Sequence, residues 1–143
     1  MKTYIGTKII QAEPCPAWKD AGGHKTGDPG YRVRYSDGYE SWSPKEVFEE
    51  AYRQTDGLPF GLAIEAAKKG NRIARAGWNG KGQYVQLATC ISYTDPCGAV
   101  VNAEHNAIGN QAFAFVGTSG VQLGWLASQA DMLADDWHIV GGE

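Results

Sequence analysis

The sequence predicts an α+β fold: a small antiparallel β-sheet domain with one packed helix, preceded by a β-hairpin plus helix module. Three observations predict it. After Gly70 the apolar residues fall into short runs of period two, the pattern of half-buried strands. Just before them, Phe60, Ala63, Ile64 and Ala67 recur at i, i+3, i+4 and i+7, which places one apolar stripe on a helix. Further upstream, Asp37-Gly38 separates two aromatic-rich alternating segments, a hairpin signal.

In chain order, residues 3–12 read as a strand of mixed apolar content, and residues 13–30, rich in Pro, Gly and charge, as a long loop. Tyr31 to Ser36 alternates Tyr, Val and Tyr with Arg and Ser, turns at Asp37-Gly38, and returns over Tyr39 to Trp42. Ser43-Pro44-Lys45-Glu46 then predicts a helix start. Ser43 can cap the N3 amide, Pro44 suits the first helical position and Glu46 completes a capping box. This helix is expected to run to about Gln54 with Val47, Phe48 and Ala51 on its apolar side. Thr55 to Pro59 reads as a linker, which divides the chain into a 1–55 module and a 56–143 domain. The second helix covers about Phe60 to Lys69, with Gly70 as its C′ residue. Strands are expected at 71–76, 83–89, 91–94, 112–117, 121–126 and 136–140, with Val121, Leu123 and Trp125 on one face. Residues 95–111 lack periodicity and read as a loop, and Ser128 to Leu133 as a helical turn.

Composition narrows the chemistry. The chain has 143 residues and a net charge of −3. Residues 1–55 balance eight basic against eight acidic side chains, whereas residues 56–143 hold five against eight. Those five are Lys68, Lys69, Arg72, Arg75 and Lys81, and none follows Lys81. A polynucleotide groove draws its affinity from many distributed cations, so no polynucleotide partner is expected. One or two phosphates could still be met. No apolar run reaches the roughly 18 residues of a membrane span and the N-terminus lacks the pattern of a signal peptide, so an intracellular soluble protein is expected. Cys15, Cys90 and Cys97 are odd in number and have no CxxC spacing, which favours neither a disulfide framework nor a zinc site.

Two segments concentrate the residues suited to a ligand: Ile73 to Tyr84, IARAGWNGKGQY, and Trp125 to Val140, WLASQADMLADDWHIV. Each sets a tryptophan beside turn-forming and amide residues at a strand edge. Gly77, Gly80 and Gly82 do not make a phosphate loop, because Lys81 is followed by Gly82 and a strand rather than by Ser/Thr and a helix. Trp78 has two readings, a core anchor of its loop or a plate on which a base stacks. Trp125 and Trp137 fit strand alternation and read as core, although Trp125 could wall a pocket. Asp131 and Asp135 read as residues that cap and stop a helical turn rather than as catalytic or metal-binding carboxylates. Gln129 can donate and accept at a base edge. No catalytic residue, metal ligand or cofactor is assigned, and the expected class is a binding protein. A structural or protein-contact module and a signal-degrading enzyme stay open as alternatives.

FGLAIEAAKKGNRIARAGWNGKGQYV, followed by GWLASQADMLADDWHIV, resembles the Thoeris anti-defence two family of phage and prophage proteins over residues 56–143. GYRVRYSDGYESWSPKEVFEEAYR, within residues 1–55, resembles a small phage-protein module that sometimes precedes it. The resemblance implies a sponge in the host bacterial cytoplasm. It would bind a cyclised ADP-ribose signal or cyclic dinucleotides without cleaving them, as a homotetramer with pockets at or near subunit interfaces. By motif, Arg75, Trp78, Asn79, Gly80 and Lys81 would supply one side of the pocket. Trp125, Ala127, Ser128, Gln129, Asp131 and Met132 would supply the other.

Overall fold

The computed structural model describes residues 1–141, and the chain divides into two compact units between Arg53 and Gln54. In the first unit, β1 (Gln11–Pro14), β2 (Gly30–Arg34) and β3 (Glu40–Pro44) form an antiparallel sheet in that order, followed by α1 (Lys45–Ala51). Gly38 turns the β2–β3 hairpin at φ 87°, and the Asp37 carboxylate accepts the Tyr39 amide. Gly30 is required because the Trp42 indole and the Ser43 carbonyl occupy the space a side chain would fill. Phe48 stacks on Tyr31 at 4.1 Å between ring centroids and on Tyr52 at 5.0 Å, while Val33, in β2, is buried.

Three expectations for this unit are corrected. Residues 1–10 carry no secondary structure, and the strand expected over 3–12 reduces to Gln11–Pro14, because only there does β2 offer partners. Ser43 does not cap α1. It lies in β3, paired with Tyr31, and its hydroxyl bonds the Pro44 carbonyl, so β3 runs directly into the helix with Pro44 at the N-cap. The helix stops at Ala51 rather than near Gln54, with Tyr52 already extended.

The second unit is a five-stranded antiparallel sheet backed by a helix. Its strands are β4 (Ile73–Arg75), β5 (Tyr84–Ala88), β8 (Ala112–Gly117), β9 (Gly120–Leu123) and β10 (Trp137–Ile139). Their spatial order is β10-β4-β5-β8-β9, so the last strand lies beside the first. Helix α2 (Phe60–Lys68) presents Ala63, Ala66 and Ala67, all buried, to the sheet. Alanine lets the helix approach closely, and Leu58, Ile73, Val85 and Trp137 complete the core. Full burial of Ile73 or Val85 contributes roughly 1.5–3 kcal/mol each. Lys69 caps α2 and Gly70 follows at φ 97°, as a C′ glycine should.

Residues 89–111 are more ordered than expected. β6 (Tyr93–Thr94) and β7 (Val100–Val101) form a hairpin, and a 3-10 turn follows at Ile108–Asn110. Asp95 organises it by accepting the Cys97 and Ala99 amides, and the Asn102 amide donates to the Ile91 carbonyl at 2.7 Å. Two-residue strands are too short to leave a period in the sequence. The strand expected over 121–126 also ends early, at Leu123. Gly124, at φ 83°, breaks the alternation, and the Gly124 and Trp125 amides converge on the Phe113 carbonyl, as in a bulge. Val121 and Leu123 therefore stay exposed while Trp125 packs against the core.

Candidate functional site

The two singled-out segments meet at one end of the second unit. The loop after β4 carries Trp78, and the segment after β9 carries Trp125 and leads into α3 (Gln129–Leu133). Ser128 caps α3. Its hydroxyl accepts the Asp131 amide at 3.1 Å while the Asp131 carboxylate accepts the Ser128 amide at 3.1 Å, a reciprocal capping box.

Asp131 does more than cap. Its Oδ1 also accepts Arg75 Nη1 at 2.9 Å and Trp78 Nε1 at 3.2 Å, and its backbone carbonyl accepts Trp137 Nε1 at 2.8 Å. Arg75 Nε donates to Asp136 Oδ1 at 2.9 Å, and Asp136 Oδ2 accepts the Gly77 amide at 2.8 Å. A side chain at Gly77 would press on that Asp136 oxygen. One guanidinium thus joins two carboxylates, and through them the loop of the first motif to the helix of the second.

This clamp is electrostatically settled. Burial acts to raise the Asp131 carboxyl, but the bonds from Arg75, the Ser128 amide and Trp78 outweigh it and hold the group below its ordinary value. Arg75 holds the Asp136 carboxyl down, against partial burial and with help from the Gly77 amide. The two carboxylates in turn raise Arg75, Asp136 more than Asp131. Both acids stay ionised at neutral pH, and the Arg75 charge is shared between them.

In front of the clamp lies a groove of about 330 Å³. Its aromatic walls are Trp78, Trp125 and Phe115. The Trp78 ring meets Phe115, Trp125 and Trp137 edge to face, at interplanar angles of 61°, 71° and 78° and centroid distances of 5.5, 6.3 and 5.3 Å. Gly80 also lines it, and its polar side chains are Asn79, Gln83 and the internally bonded Asp131. A second hollow of about 470 Å³ lies between Lys68, Leu87, Gln111, Ala112 and Phe113. It is larger, but it holds none of the motif residues and a single charge, Lys68, paired with Glu65 at 3.6 Å. The aromatic groove is the better candidate because two of its lining residues are tryptophans and two more, Asn79 and Gln83, carry side-chain amides.

Of the residues singled out in sequence, Trp78, Asn79, Gly80, Trp125 and Asp131 line this groove. Arg75 lies behind it in the clamp. Lys81, Ala127, Ser128, Gln129 and Met132 lie outside the lining. Lys81 and Gln129 are exposed, Ser128 serves as the cap and Ala127 is half-buried. Both readings of Trp78 hold at once, since it is half-buried against the core cluster and also a groove wall. Trp137 is fully buried core, as expected, and Trp125 is shared between core and wall. Sequence reasoning missed Gln83 and Phe115. Gln83 lay in the first quoted segment, and its signal was its place opposite the Gly80 turn.

The second unit is thus a helix-backed antiparallel domain with an aromatic groove backed by internal ion pairs. The Tad2-like domain, described as Thoeris anti-defense 2-like, matches residues 58–140, and the chain belongs to that family. It is 33% identical over 85 residues to the protein named Thoeris anti-defense 2 of Bacillus phage SP01, a match that covers 58% of this chain and 94% of that relative. Membership supports a phage anti-defence role, and the family's name denotes no enzyme. Among the described residues no helix is long and apolar enough to cross a membrane.

Proposed function

We propose that this protein counters bacterial immunity by binding a cyclic nucleotide signal, a cyclised ADP-ribose or a cyclic dinucleotide, and holding it uncleaved. The observation that carries this reading is the groove between Trp78, Trp125 and Phe115. Indole and phenyl walls suit a flat base, and stacking of one base on an aromatic side chain contributes roughly 1–3 kcal/mol. The groove's one carboxylate, Asp131, has both oxygens engaged and is held ionised, a poor arrangement for moving protons. Family membership supports the anti-defence part of the reading.

The second part of the proposal is that the working form is a homotetramer. A groove of about 330 Å³ is at the small end for ligand sites and holds one ring with its sugar, not a whole cyclic dinucleotide. Lys81, two residues after Asn79, is exposed on the turn. Another copy would supply the remaining surface and charge. Exposed Val121 and Leu123 on edge strand β9, with Leu126 and Leu133 nearby in sequence, support self-association.

The test is to incubate the protein with each ligand, remove the unbound fraction, denature by heat and chromatograph what is released. Intact ligand in stoichiometric amount is expected. A linear product accumulating with time would replace the sponge by an enzyme, and no bound ligand would leave a protein-contact module. Light scattering is expected to give four times the monomer mass of 15.4 kDa, and a monomer at micromolar concentration would remove the assembly from the proposal.

A further inference from the structure

We propose that Gln83 is the specificity-determining residue of the aromatic groove, reading the hydrogen-bonding edge of the heterocycle through a carboxamide that the protein leaves free. The inference rests on the ligand reading above and adds to it what chooses between bases. Stacking walls cannot make that choice, because every base has a π-face. Choice needs polar groups that point at the ring edge and are not already used.

The groove's polar side chains are Asn79, Gln83 and Asp131. Asp131 accepts from Arg75, Trp78 and the Ser128 amide, so its lone pairs are directed inward. Asn79 is exposed on the turn. Gln83 is half-buried, and its side chain makes no hydrogen bond to any described residue, yet its polar atoms remain open to solvent. Its carboxamide lies directly against the α-carbon of Gly80, in the space a Gly80 side chain would take, and its Nε2 reaches the neighbourhood of Gly117. Two glycines, one from the loop before β5 and one from the end of β8, therefore leave the room in which this amide sits. Neither has a left-handed φ, so backbone conformation does not explain them. A carboxamide offers one acceptor and two donors in a plane, the complement of a purine edge.

The experiment uses the full chain and 3′,5′-cyclic dinucleotides that differ only in base: two adenines, two guanines or two hypoxanthines. Affinities are measured by calorimetry, with circular dichroism as the folding control. The wild type is expected to prefer one base. Gln83→Met keeps the side chain's length but not its hydrogen bonds, and should weaken the preferred ligand about tenfold while leaving the others nearly unchanged. Gln83→Glu, an acceptor only, should move the preference toward guanine, whose N1–H and N2–H both donate. Gly80→Ala tests the same idea without altering Gln83. Its methyl displaces the carboxamide, so it should flatten the preference as Gln83→Met does. Unchanged preference in folded Gln83→Met, or a wild type that binds all three equally, overturns the proposal and leaves the sponge reading standing. A wild type that binds neither these nor cyclised ADP-ribose overturns both.

Discussion

At Asp131 one carboxylate accepts a backbone amide, an indole N–H and a guanidinium, and each partner comes from a different part of the site. Removing Arg75 leaves this carboxylate, only 14% exposed, without its counter-charge. Arg75→Ala is therefore expected to cost about 1.5–3 kcal/mol, the range for hydrogen bonds to charged groups, measured as a shift in urea midpoint at constant slope. Arg75→Lys should not restore it, because a lysine cannot hold two carboxylates in one planar fork. Trp78→Ala carries a different expectation. The sequence left Trp78 open between a core anchor and a stacking plate, and in the structure it packs on Trp137, Trp125 and Phe115. Its truncation should lower stability by roughly 2–4 kcal/mol as well as weaken ligand, so binding must be measured below the unfolding transition.

At the level of elements, α3 has only five residues and depends on its ends. Ser128→Ala removes one half of the capping box and should destabilise the second unit by about 1 kcal/mol, visible as a lower thermal midpoint and faster amide exchange at Asp131. The sequence placed a helical turn at Ser128 to Leu133 but gave the capping to Asp131 and Asp135, whereas Ser128 is the N-cap and Asp131 its reciprocal partner at N3. It announced α2 as well, because nine residues are enough to show an apolar stripe. It did not announce the stop of β9. Val121, Leu123 and Trp125 alternate faultlessly, and only Gly124's left-handed φ, chosen by the pull of Trp125 into the core, breaks the run. Ser43 misled for a related reason. A capping residue and a strand residue look alike in sequence, and pairing with Tyr31 decided between them. The groove was half legible. Aromatic and glycine residues marked its place, but the neutralisation of Arg75 by Asp131 and Asp136 joins positions 56 and 61 residues apart, which no local pattern encodes.

Across the whole molecule the clamp links stability to acidity. Asp131 and Asp136 both have carboxyls held below the ordinary value of 3.8. Their contribution is present in full above that value and is lost as pH falls through the lowered ones. Unfolding midpoints measured from pH 6 down to 3 should therefore fall more steeply for the wild type than for an Asp131→Asn, Asp136→Asn double variant. Asp136 is 35% exposed, so its share should shrink as salt is added, while that of the more buried Asp131 persists.

The strand order of the second unit also sets a sequence in time. Because β10 lies beside β4, the Trp78 loop gains its bond to Asp131 and its packing on Trp137 only when a segment more than fifty residues later has been made and has returned. Closing a loop of that size carries an entropic cost of roughly 3–4 kcal/mol before any contact is formed. Helix α2 and the β4–β5 turn are local and can form early, whereas the groove belongs to the last step. On the proposed ligand reading, a nascent chain halted before Trp125 would carry Trp78 and its glycines yet capture nothing, so binding should arise abruptly, together with the completed sheet.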